Sequence, residues 1–402
     1  MEKSAARSSI ESTTESAAAA AEMALSASPA PRLRELPIVF TASGSEYFRI
    51  WAVNLLLILM SGGLYLPFAK QRRIRYFYAN TLIEGEALAF HGDSWRMFRG
   101  FVIVVALMAV YSLTSNFSPA VAIPAFLLLC AVWPAMWRAA MQFRLGNTSW
   151  RGLRFGFHGS LAGAYRAFLP IYVPALLVTA LTPDDPKAPL SWQTGLYYLA
   201  MAASILMLPW ATALMRRYQH QNFSLAGERS GLSLNTRAIY FIGWKTLWLT
   251  VGLFIVTLML TFVLGGLLAL ATSGKIDAPG NGQLYGLIWL GLTYLLGGSV
   301  VLAYHASRVQ NLVWTNTKSA SLSFESTLTG LPWLTLKNWV LIVLTLGLYR
   351  PFAVVATVRL RLHSVRIETR TDPESWQAQP TTAMQDASGE VAGDFFGVDV
   401  GL

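Results

Sequence analysis

Apolar positions in this chain come in long blocks, and two of those blocks share one pattern at opposite ends. Phe40 is followed by Asn54 and then by Gly63, Leu64, Tyr65, Pro67, Phe68 and Ala69. Phe324 leads at the same spacing to Asn338 and then to Gly347, Leu348, Tyr349, Pro351, Phe352 and Ala353. A fixed register of Asn, Gly, Tyr and Pro over hundreds of residues marks an internal repeat and resets the fold reading. Between these ends lie six uncharged apolar stretches, at about 101–117, 120–137, 167–181, 192–215, 246–272 and 284–305. A helix needs roughly 17–25 apolar residues to cross about 30 Å of hydrocarbon, so all six are expected to be transmembrane helices.

The two patterned ends are expected to enter the membrane and return. In the second copy only 338–349 lie between Lys337 and Arg350, and a dozen helical residues reach only about 18 Å. A break at Gly-Leu-Tyr-x-Pro then turns the chain back, because Gly63 and Gly347 adopt backbone angles closed to other residues and Pro67 and Pro351 interrupt a helix. Irregular backbone at membrane depth needs cover from protein or water, so these hairpins are expected to pack inside the bundle.

Each returning helix is followed by an Asn, a turn and a short alternation of apolar and small residues. The instances are Asn80-Thr81, Asn147-Thr148, Asn222-Phe223 and Asn316-Thr317, with Gly85, Gly152, Gly227 and Ser321 five residues after each Asn. Period-two alternation after such a turn predicts β-hairpins. Residues 38–40 and 365–367 read as unpaired halves of a fifth. The fold expected is an all-α polytopic membrane protein: six transmembrane helices plus two re-entrant helical hairpins, repeats joined by short cytoplasmic β-hairpins. Residues 37–370 form the membrane domain, 1–36 a disordered cytoplasmic head and 371–402 a disordered acidic tail.

Composition agrees with lipid as the solvent. The chain is 54% hydrophobic and 13% charged, with mean hydropathy +0.45. Its formal net charge of +10 is concentrated in alternate loops, after the first repeat (Lys70, Arg72, Arg73, Arg75), after the second span (Arg138, Arg144, Arg151) and after the fourth (Arg216, Arg217, Arg229). The positive-inside rule puts those loops, and both termini, in the cytoplasm. Anionic lipid head groups are therefore the expected partners, and nucleic acid is not.

Candidate chemistry is sparse. No metal helix, nucleophile elbow or phosphate-binding loop is present, Cys130 is the only cysteine, and no cofactor and no catalysis are expected. His91 and His158 each precede Gly after a strand, where they either hydrogen-bond or make a thin metal pair. The speculative substrate-binding residues are Asn54 and Asn338 with Tyr65 and Tyr349 at the turns. Paired broken helices can present amides to a substrate near the membrane centre, although the same Asn residues would equally serve to bond exposed backbone. The Gly159/Gly163 and Gly282/Gly286 pairs are weak packing signals.

The run FTASGSEYFRIWAVNLLLILMSGGLYLPFAKQRRIRYFYANT, residues 40–81, resembles the signature of the YjgN-like bacterial inner-membrane proteins, a domain family of unknown function. The resemblance covers about 38–367 and implies a bacterial inner membrane and a polytopic helical fold. It supplies no reaction, ligand or catalytic residue. Thr357 and Ser364 stand in the second copy where the first has Arg73 and Asn80. Two functions are left: a transporter or channel-like protein for a small solute or lipid, and a non-catalytic membrane-embedded scaffold.

Overall fold

A computed structural model describes residues 33–115, 119–183, 191–271 and 281–376. The loops around Ser118, Asp184 and Asp277, residues 1–32 of the head and 377–402 of the tail lie outside the described residues.

Five pairs of helices follow one another, each entered from one strand and left into the next. The first pair is β2 (Ile38–Phe40), α1 (Gly44–Met60), α2 (Leu66–Ala79), β3 (Thr81–Ile83), preceded by β1 (Arg34–Leu36). Next come β4 (Glu86–Phe90), α3 (Ser94–Ser115), α4 (Pro119–Gly146) and β5 (Thr148–Trp150). The third is β6 (Leu153–Phe157), α5 (Leu161–Leu181), α6 (Trp192–His220) and β7 (Phe223–Leu225). After β8 (Glu228–Arg229), the fourth is β9 (Gly231–Leu232), α7 (Thr236–Ala271), α8 (Asn281–Leu296), a π-helical segment Gly297–Val301, α9 (Leu302–Thr315) and β10 (Thr317–Lys318). The last is β11 (Leu322–Ser326), α10 (Leu331–Leu344), α11 (Arg350–His363) and β12 (Val365–Thr369).

Among the described residues, five helical segments are long and apolar enough to cross a membrane: Ser94–Leu113, Leu161–Leu181, Trp192–His220, Thr236–Leu267 and Trp289–Thr315. The sixth expected span, 120–137, lies inside the 28-residue α4. The patterned ends fold as shorter helix–turn–helix pairs.

An all-α description undercounts the strands. They form a seven-stranded sheet, β2 to β8 in chain order, and a five-stranded sheet ordered β1-β12-β11-β10-β9. Because β1 and β2 are one strand bent at Pro37, and β8 and β9 one strand bent at Ser230, the two sheets join at both corners into a closed ring. At the corners Pro37 O accepts from Glu84 N (2.9 Å) and Ser230 N donates to Phe223 O (2.9 Å). The strands are continuous because each hairpin's outer strand finds a partner in the next, and a ring leaves no edge to template pairing with another chain. The expected pairing of 38–40 with 365–367 does not form: Ile38–Phe40 pairs with Thr81–Ile83, and beyond the bend at Pro37 it is the preceding strand that meets the C-terminal one, Leu36 opposite Ile367 and Arg34 opposite Thr369. Leu36, 2% exposed, anchors a strand that begins within the polar head.

The repeated Asn-Thr dipeptide ends helices. Asn80, Asn147, Asn222 and Asn316 each donate a side-chain N–H to the carbonyl four residues back, at 2.7–2.8 Å. Thr81, Thr148 and Thr317 do the same through their hydroxyls. These bonds add a donor at last-turn carbonyls, where a helix runs out of backbone N–H groups. The weak Gly159/Gly163 signal also has a use, since a Cβ at either glycine would lie within 3 Å of the Tyr218 ring or hydroxyl.

The tips of the short pairs are built alike. Gly63 and Gly347 both have φ +94°, and their N–H groups donate to Ile58 and Ile342. Ser61 Oγ accepts from Tyr65 N and Thr345 Oγ1 from Tyr349 N, both at 3.0 Å. The expectation that these hairpins would be covered by protein fails at the tips, where Met60, Leu344 and Leu346 are 77%, 74% and 94% exposed. Cover is unnecessary because the turn satisfies its own backbone groups. Pro67 and Pro351 sit in the first turn of the returning helix, where a missing N–H costs nothing. Gly63→Val and Gly347→Val are expected to destabilise the detergent-solubilised protein by about 1–3 kcal/mol each, read as a fall in melting temperature. Gly252→Ala, in open space on α7, should leave it unchanged or raise it.

Candidate functional site

A cavity of about 1590 Å³ runs from the strand ring into the helices, larger than the roughly 300–1,000 Å³ of a drug-sized pocket. All five helix pairs contribute. Alternate strand residues face it, such as Thr81 and Ile83, Leu322 and Phe324, Val365 and Ile367, as period-two geometry requires. From the returning helices come Arg73 and Phe77 (α2), Met141 and Arg144 (α4), Arg216 and His220 (α6), His305 and Gln310 (α9), and Arg350, Thr357 and Arg361 (α11); α10 adds Thr335, Asn338 and Trp339.

Of the four expected binding residues, only Asn338 lines this cavity. It is 4% exposed, and its Nδ2 donates to Ala353 O and Thr357 Oγ1, both 3.4 Å. Its Oδ1 is buried and has no hydrogen-bond partner among the described residues, an expensive state for an amide oxygen. Asn54, 6% exposed, instead accepts from the Arg72 guanidinium at 3.3 Å, a side-chain partner rather than exposed backbone. Tyr65 and Tyr349 stack on Phe68 and Phe352, with centroids 5.5 and 5.6 Å apart, and lie off the cavity lining. The four residues are thus not gathered in one place.

The histidines follow a structural pattern. His91 bonds Ser149 Oγ at 2.8 Å and His158 bonds Ser224 Oγ at 2.9 Å. Burial, and secondarily the Arg229 charge, push His158 below its ordinary pKa. No group of three or more metal-ligating side chains occurs among the described residues.

Sequence reasoning missed the arginines, His220 and Gln310 as cavity residues. Arg144 and Arg216 were counted with loops because hydropathy ends a span at the first cation, yet α4 and α6 continue to Gly146 and His220. The Asn that caps each helix was the available signal, since it places the preceding residues on the last helical turns. One carboxylate, Glu228, lines the cavity among the described residues, and it accepts from Ser319 and Ser321.

Long apolar helices around a partly polar cavity define a helical membrane protein. The chain belongs to the bacterial protein family of unknown function DUF898, whose model matches residues 35–395. It is 32% identical over 145 residues to the inner membrane protein YjgN of Salmonella typhimurium, covering 36% of each chain. It is also 32% identical over 136 residues to the Escherichia coli K12 protein of the same name, covering 33% of this chain and 34% of that one. The chain thus aligns with about a third of the length of these relatives. No solved structure gives a significant match.

In a Cys130→Ala background, Asn338→Cys should react with a small charged methanethiosulfonate reagent added to inside-out membrane vesicles. Asn54→Cys, off the cavity, should react at least tenfold more slowly. Equal rates would place both or neither on the accessible path.

Proposed function

We propose that this chain is a transporter or channel-like protein of the bacterial inner membrane, its path for a small solute or lipid running through the cavity shared by the five helix pairs. In this reading six helices cross, the α1/α2 and α10/α11 hairpins enter and return, and the strand ring with both termini faces the cytoplasm. Exposed apolar tips favour lipid around the hairpins, and α2, α10 and α11, at fourteen residues and about 21 Å each, are too short to cross. The cations near the ring satisfy the positive-inside rule.

The observation that carries the reading is the buried, unpartnered Asn338 Oδ1 on the wall of a large cavity. A passive anchor has no use for such a group, whereas a passing solute or water can donate to it. Metabolite and lipid profiles of cells lacking the protein should differ from wild type. The wild-type chain should restore them, and a correctly inserted Asn338→Leu/Thr335→Leu double variant should not. Full restoration by that variant would favour the scaffold reading.

A further inference from the structure

Each returning helix puts a long polar side chain on the cavity wall at nearly the same depth, and α11 adds Arg350 near its tip. Arg144 and Arg361 stand three residues before the capping Asn147 and Ser364, Arg216 and Gln310 six before Asn222 and Asn316, and Arg73 seven before Asn80. At about 1.5 Å per residue this band is only about 6 Å deep. Four guanidiniums and one amide therefore form a collar where the helices meet the strand ring. Guanidinium stays charged at any physiological pH and pairs with phosphate or carboxylate through two parallel hydrogen bonds. Walls of low dielectric focus the potential of such a collar and concentrate anions in it.

Beyond the collar the wall changes character. Thr335, Asn338 and Thr357 stand at the collar's upper edge, and Trp339, Ile342 and Val354 follow between α10 and α11, with Arg350 near the tip. A cationic band below an apolar cleft matches a molecule with an anionic head and a hydrocarbon body.

We propose that the arginine collar binds the phosphate of an anionic amphiphile, whose acyl chain lies against the α10/α11 wall. This rests on reading the cavity as a substrate path and narrows it from a small solute or lipid to an anionic lipid or lipid-like molecule. It also separates a site inside the ring from adsorption of head groups to the outer basic rim.

The full-length protein, purified in a neutral detergent, would be titrated with dioleoyl phosphatidic acid, dioleoyl phosphatidylcholine and inorganic phosphate, with bound lipid counted by native mass spectrometry. Phosphatidic acid is expected to bind saturably at one per chain, at least tenfold tighter than phosphatidylcholine, and inorganic phosphate to compete only weakly. Arg144→Gln with Arg361→Gln should weaken binding tenfold or more; Arg96→Gln with Arg99→Gln, on α3 and off the cavity, should not. Equal affinity for the two lipids in the wild type would overturn the proposal whether or not the collar variant folds. So would inorganic phosphate competing as well as the lipid, or undiminished binding by a folded collar variant. A path for a neutral solute would fail here and still show the Asn338 defect in the cell profiles, so the two readings fail separately.

Discussion

Arg34, Glu35 and Leu36 pair with Thr369, Glu368 and Ile367, and this contact between the two ends of the folded region holds the cavity in shape. Without it the five helix pairs would hang from an open ribbon with exposed N–H and C=O groups at both edges, the arrangement most prone to pairing with another chain. With it the strands form a ring, and the helices above must close around one volume. The same seam is held higher up. Arg359 donates to Ala42 O at 2.7 Å, Phe48 meets Phe352 with centroids 5.9 Å apart, and a Cβ on Gly44 would sit 2.4 Å from the Phe352 ring.

Closure also explains an economy in the sequence. The entropy of joining chain ends grows with the logarithm of the intervening length, about 0.6 kcal/mol per doubling, so closing the seam directly would cost roughly 3–4 kcal/mol more than closing a tight hairpin. Once the intervening hairpins pair in order, β1 and β12 are already neighbours. Leu36 then joins a core with Ile74, Tyr78, Leu88, Phe90, Phe143 and Trp150, so residues from the first and second helix pairs stabilise the seam they enclose. Trp376 packs on the same core, its ring centroid 5.9 Å from that of Trp150.

The helix pairs, the hairpin turns and the pairing of the two ends were legible in the sequence, because each rests on local chemistry: apolar length, Asn-Thr caps, Gly at left-handed turns. The strand that makes the seam was not: 38–40 looked like the partner of the C-terminal strand, but it is taken by 81–83, and the short polar stretch before Pro37 with its one buried residue, Leu36, gave no alternation by which to recognise a strand. The cavity was harder still. Asn54 and Asn338 occupy equivalent positions and look interchangeable, yet Arg72 donates to the Asn54 oxygen, while the second copy has Ala356 at that place and leaves the Asn338 oxygen without a partner among the described residues. The arginines were visible as charges but not as a collar, because depth along a helix is read from its end, and hydropathy places that end a turn or more too early.

The seam can be tested in native membranes. Glu35 and Glu368 lie directly opposite in the β1/β12 register, where Cβ atoms stand about 4.5–5.5 Å apart, within reach of disulfide formation after modest adjustment. In a Cys130→Ala background, Glu35→Cys with Glu368→Cys should crosslink within minutes under a mild oxidant and give a monomer of altered gel mobility, as a Leu82→Cys/Ala87→Cys hairpin pair should form its local bond. Failure of the distant pair while the hairpin pair oxidises would contradict the closed ring, and with it the shared cavity and the placement of both ends on one side of the membrane.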